Sequence, residues 1–275
     1  MELLAGGDGP RPRLLLGWWF SRTSRAQDQS GDPAITERMQ TMSYPMIIVF
    51  SLALTFAGFD WIMSLHPHWY STIFGVYIFG GAFHAALSLL ALITLALHRR
   101  GYFKKISTVE HRQDIGKLMF AFTVFWAYIA FSQFMLQWYA NLPEETIYYR
   151  YRWAGGWKTW SLLLIFVQFA FPFLFLLPKT VKRHMVGLTV GASAILVGHF
   201  IDMYWLIMPA YDLSLQHHQP GEHMTHGVAF SWIDIAGWLG PVSVILFLVA
   251  RAAARGPLYP IKDPRLAETV KVENL

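Results

Sequence analysis

Cysteine is absent from the 275 residues. Disulfides, iron–sulfur ligation by thiolates and covalent attachment of c-type haem are therefore excluded from this chain. Charge is scarce as well: 14% of residues are Asp, Glu, Lys or Arg, against about 25% in an ordinary soluble domain. No internal repeat and no low-complexity tract stands out. A secretory signal is not legible either, since Leu14–Phe20 is apolar but short and runs into Arg22 and Arg25.

What the chain has instead is hydrophobicity, at 55% of residues, gathered into six runs: Pro45–Leu65, Thr72–Leu97, Lys117–Tyr139, Trp157–Leu177, His184–Met208 and Gly227–Arg251. A bilayer core roughly 30 Å thick takes about 20 apolar residues per helical span, so each run is long enough to cross. The expectation is an all-α membrane protein with six transmembrane helices, including an antiparallel four-helix bundle. Residues 1–44 read as a polar cytoplasmic connector, 45–252 as the spanning domain, and 253–275 as a cytoplasmic tail extended along the membrane surface.

The net charge of +5 could suggest nucleic acid, but the basic residues sort by side, which argues against that partner. Nineteen Lys and Arg fall in the N-terminal segment, the loops after the second and fourth runs, and the tail; the other three loops hold Arg150, Arg152 and Lys158. The positive-inside rule then places both termini in the cytoplasm. Small residues at Gly187, Gly191, Ala194 and Gly198, and at Gly80, Gly81 and Ala85, line helix faces suited to close packing. Pro172 is expected to kink the fourth span.

Ionisable groups inside spans are costly in lipid and mark function. The candidates for a proton path are Asp60, His84, His199, Asp202 and Asp234, with Gln133, Gln137 and Gln168 as polar neighbours. Counting about 1.5 Å per residue puts most of them in the outer half of the membrane, with His84 nearer the middle. His199 and Asp202 are three apart and share a helix face. A carboxylate beside an imidazole can pass a proton. The plainer reading is that each is a satisfied polar contact between helices, or, for Asp60, an interfacial residue. Two other chemistries stay open: His84 and His199 as axial ligands of a b-type haem, and His218, His223 and His226 as a metal site in the loop Pro209–His226. His66-Pro-His68 reads as a turn at the water interface. An independent transporter is disfavoured by the lack of an inverted repeat.

The string FDWIMSLHPHWYSTIFGVY, Phe59–Tyr77, resembles the ActF subunits of bacterial alternative complex III, and the string FSQFMLQWYANLPEET, Phe131–Thr146, resembles both ActF and its paralogue ActC. These belong to the NrfD-like, polysulfide-reductase-type membrane family. The resemblance implies a subunit of a respiratory quinol:cytochrome c or quinol:oxidase oxidoreductase in the bacterial inner membrane, with a role in proton conduction. It implies no cofactor on this chain, a quinone possible nearby, and haem c and iron–sulfur clusters in partner subunits. Those partners would be an ActC-like paralogue, an iron–sulfur subunit, multihaem cytochrome c subunits and in some assemblies a terminal oxidase, alongside membrane lipid. Family members carry a further four-helix bundle ahead of these spans. Leu14–Phe20 followed by SRTSRAQDQSGDP resembles the end of its last helix, so the expectation is that four N-terminal spans are missing, and with them a complete quinone pocket.

Overall fold

Lipid offers no partner to a bare backbone N–H or C=O, so an apolar run must close its own hydrogen bonds as a helix. The computed structural model describes residues 15–103, 106–215, 230–254 and 256–271, and among them there is no strand. Six helices are long and apolar enough to span: Pro33–Leu65, Phe74–Arg99, Val109–Ala140, Trp157–Leu176, Met185–Tyr211 and Trp232–Arg251. The chain is a multi-pass, all-α membrane protein.

The described residues divide into two units. The first draws on Met1–Phe50 and Phe230–Val272. Here the described part of the expected connector, from Leu15 on, is helical apart from the break at residues 31–32. Helix α1, Leu15–Ser30, ends on Gly31 at φ 72°, whose N–H reaches the Gln27 carbonyl at 2.7 Å; glycine takes that left-handed position without a Cβ penalty. Helix α2, Pro33–Trp61, starts at once, with Asp32 accepting from the Ala34 N–H at 3.0 Å and Pro33 in the first helical position. The buried Gln27 carboxamide donates to the Thr36 hydroxyl. Pro45 therefore lies inside α2 and does not begin the span. The tail is not simply extended. It bonds back to α1 through Asp28, which accepts from the N–H groups of Ile261 and Lys262, and it ends in a short helix within Leu266–Val270.

The second unit holds the remainder of α2 and the helices up to the fifth span. These are α3 (Phe74–Arg99), α4 (Val109–Ala140), α5 (Pro143–Arg152), α6 (Trp157–Leu164), a π-turn (Ile165–Ala170), α7 (Phe171–Leu176), α8 (Lys179–Arg183) and α9 (Met185–Leu215). Helix α3 packs on α4 and α9; α9 packs on α6, the π-turn and α7; α4 packs on α7 and α8. The irregular π-turn sits just before Pro172, and the Phe171 N–H reaches back to the Phe166 carbonyl. Proline lacks the N–H that a regular turn needs, and the ladder adjusts by widening.

The interior of this unit is two apolar clusters. One is aromatic: Trp69, Phe74, Tyr77, Trp126, Tyr148 and Tyr149 with Leu164, Ile201 and Leu206. The other is aliphatic: Leu87, Ala91, Leu95, Met119, Leu176, Leu188, Ala192 and Ile195. Where the two clusters meet, each of the four packed spans contributes polar or small residues among its apolar ones. They include Gly81 and His84 on α3, Thr123 on α4, Gln168 on the π-turn, and Gly198, His199 and Asp202 on α9.

Candidate functional site

That polar belt is the candidate site. Asp202 is fully buried. Its Oδ1 accepts from the Tyr77 hydroxyl and its Oδ2 accepts from the Trp126 indole N–H at 3.1 Å. One carboxylate thus ties α9 to α3 and α4. Charge-assisted bonds of this type are the stronger ones, and a buried acid without them is costly.

Gly81 is what lets α3 come close. A Cβ built there would stand 3.5 Å from Asp202 Oδ2 and 3.5 Å from His199 Nδ1. The carboxylate and the imidazole therefore flank one open spot on the α3 backbone, as their spacing of three on α9 requires. His199 Nδ1 is buried and makes no hydrogen bond. One turn along α3, His84 is fully buried, with Nε2 3.1 Å from Thr123 Oγ1. Thr123 donates its own proton to the Met119 carbonyl at 2.9 Å, so the network assigns the proton to His84 Nε2 and leaves Nδ1 as a bare acceptor. Gln168 is fully buried too, and neither atom of its carboxamide has a partner. Gly198 makes the room: a Cβ there would meet Gln168 Oε1 at 2.2 Å. Buried polar atoms are nearly always bonded; four orphaned ones, on His84, His199 and Gln168, gather in this belt, while those on Gln27 and His98 stand singly. π-turns also concentrate at functional sites.

No family model and no curated protein matches this chain.

The structure places the other expected site residues elsewhere. Asp60 is exposed near the end of α2. Asp234 is in the first unit, in the first turn of α10 (Trp232–Ala253), where its carboxylate accepts from the Ser231 N–H at 2.8 Å. It is a capping group, because the helix begins at Trp232, later than the run of apolar residues suggests. Gln137 is buried and accepts from the Trp69 indole at 3.1 Å; Gln133 is buried on the same face of α4. Both lie beyond the belt, towards the end of α4. The belt residues Thr123, His199 and Gln168 fall near the mid-length of α4, α9 and the fourth span. The loop histidines His218, His223 and His226 lie outside the described residues.

A second centre escapes the sequence reading. Arg152, at the end of α5, is fully buried. It donates to the carbonyls of Trp205 (3.2 Å), Leu206 (3.0 Å) and Tyr148 (3.0 Å), and one of its terminal nitrogens lies 3.3 Å from His66 Nε2. The guanidinium stacks over Tyr148 at 3.5 Å. Trp205 is four residues before Pro209, which has no N–H for that carbonyl; Arg152 supplies the missing donor. Burial, and then the Arg152 charge, hold His66 down to about 4, so its imidazole is neutral and accepts. Burial lowers the proton affinity of Arg152 and pushes Tyr148 up to about 12. The signal for Arg152 was present in the charge count, as one of three basic residues on that side. Tyr77 and Trp126 carried no signal, since 16% of the chain is aromatic.

At the opposite end of the bundle, Lys182 donates to the carbonyls of Leu176 (2.8 Å) and Leu177 (3.1 Å), closing the end of α7. Its stem lies on Gly116. Arg183 pairs with Glu110 at 2.6 Å.

Proposed function

We propose that this chain is an ActF-like, NrfD-type subunit of a bacterial respiratory quinol:cytochrome c or quinol:oxidase oxidoreductase. It sits in the inner membrane with both termini in the cytoplasm, and moves protons through the Asp202 belt towards the periplasmic side. The observation that carries this reading is a wholly buried carboxylate beside an imidazole with a free ring nitrogen, within a belt that spans four helices. A proton needs groups that can both hold and release it, and Asp and His are the side chains suited to that near neutral pH. Electron carriers in this reading belong to partners: haem c and iron–sulfur clusters on peripheral subunits, with quinone nearby and an ActC-like paralogue alongside.

The test is Asp202→Asn and His199→Ala in the purified parent complex. Proton release coupled to quinol turnover is expected to fall at least about tenfold in each. Unchanged turnover with unchanged proton release rejects the role.

A second reading, a purely structural anchor, is favoured by the two bonds through which Asp202 ties α3, α4 and α9 together. It expects Asp202→Asn to reduce assembly while turnover per assembled complex stays at the wild-type value.

A further inference from the structure

Arg152 and Asp202 are connected by helix geometry. Trp205 and Leu206, whose carbonyls Arg152 holds, follow Asp202 by three and four residues on α9. At about 1.5 Å per residue, that places the guanidinium on the order of 10 Å along the helix from the carboxylate. The titratable groups between and around them are phenols and imidazoles. Tyr148 and Tyr149 on α5 and Tyr77 on α3 are phenols; Ser161 on α6 and Trp126 on α4 do not titrate at ordinary pH. The His66 imidazole is neutral and bonded to Arg152, His199 flanks Gly81, and His84, one turn along α3, is bonded to Thr123. Among the described residues no carboxylate pairs with Arg152. Every other acceptor it uses is a backbone carbonyl, so its charge is held in place and left uncompensated.

We infer that Arg152 is a positioning residue for the Asp202 belt: it fixes α9 at the Pro209 break and supplies a standing positive charge that favours release of the proton from Asp202. This rests on the reading of Asp202 as a proton-exchanging group. A fixed cation at this range, in an interior of intermediate dielectric, changes a proton equilibrium by up to about tenfold. Because the anchor spans α5, α6, α9 and the segment after α2, the cation cannot swing away. Ser161 donates to the Arg152 carbonyl at 2.6 Å and accepts from the Trp205 indole at 2.8 Å, which closes the clamp from the α6 side.

The experiment is infrared titration of the carboxyl C=O band in the full chain in lipid nanodiscs, with the band assigned by its loss in Asp202→Asn. Three variants separate charge from fold. Arg152→Met removes the charge. His66→Glu keeps Arg152 and its acceptor but places a countercharge against it, so it does not depend on the neutral variant folding. Arg152→Lys keeps a charge and loses the fork. The midpoint of the Asp202 band is expected to rise by about one pH unit in Arg152→Met and His66→Glu, and to stay near wild type in Arg152→Lys. A wild-type midpoint in either of the first two overturns the inference while leaving the proton role of Asp202 intact. An equal rise in Arg152→Lys overturns it in favour of packing alone. If Asp202→Asn removes no titrating band, the proton reading fails, and the inference with it.

Discussion

Replacing Gly81 with alanine separates the fold of the belt from its chemistry. The added Cβ would sit 3.5 Å from Asp202 Oδ2 and 3.5 Å from His199 Nδ1, which is ordinary van der Waals contact. No backbone has to move. Alanine is a better helix former than glycine by about 0.8–1 kcal/mol. The methyl partly desolvates two polar groups, which works against that gain. The net expectation is stability within about 1 kcal/mol of wild type, on either side. Function is a different matter, because the methyl occupies the spot that the carboxylate and imidazole share. Small misplacements in a proton-passing pair cost up to about a hundredfold, and proton release is expected to fall about tenfold or more. Gly198→Ala is the control with the opposite balance. Its Cβ would stand 2.2 Å from Gln168 Oε1 and 3.0 Å from the Gln168 Cα, a backbone atom that cannot rotate away. Overpacking of that kind destabilises by about 1–3 kcal/mol. Denaturant unfolding in mixed micelles reads the stabilities, and acidification of the medium by reconstituted complex reads the protons. A Gly81→Ala variant that releases protons at the wild-type rate, or that unfolds more easily than Gly198→Ala, would refute the reasoning.

Gln168→Leu removes a buried carboxamide with no partner and keeps a similar volume. It should raise stability by about 1 kcal/mol while slowing proton release, and a slower, less stable variant would show that the amide is bonded where it sits. The depressed His66 titration gives a pH effect of defined sign. Between about 4 and the ordinary histidine value of 6.5, the unfolded chain binds a proton at His66 that the folded chain does not. Stability is therefore lost as pH falls through that window. In His66→Gln this component should vanish, so the difference in unfolding midpoint between the two proteins should close progressively from pH 7 to pH 4.

The sequence by itself determined the class of this protein. Six apolar runs with almost no charge leave the backbone no choice but helices that close their own hydrogen bonds, and that conclusion needs no tertiary information. It also determined that His199 and Asp202 share a face, because a spacing of three fixes direction on any helix. Residue spacing says nothing about what stands opposite that face. The partners of Asp202 come from Tyr77 and Trp126, 125 and 76 residues away in the chain, and in a chain this rich in aromatics neither is distinguishable from lipid-facing filler. Helix ends are beyond residue spacing for a related reason, because capping and packing set them: α10 begins at Trp232 with Asp234 capping its first turn, and α2 runs through Pro45 back to Pro33. Arg152 shows the limit most clearly. A basic residue in a loop reads as solvated until the fold brings it to the carbonyl that Pro209 leaves without a donor, and only the packing of α5 against α9 could reveal that meeting.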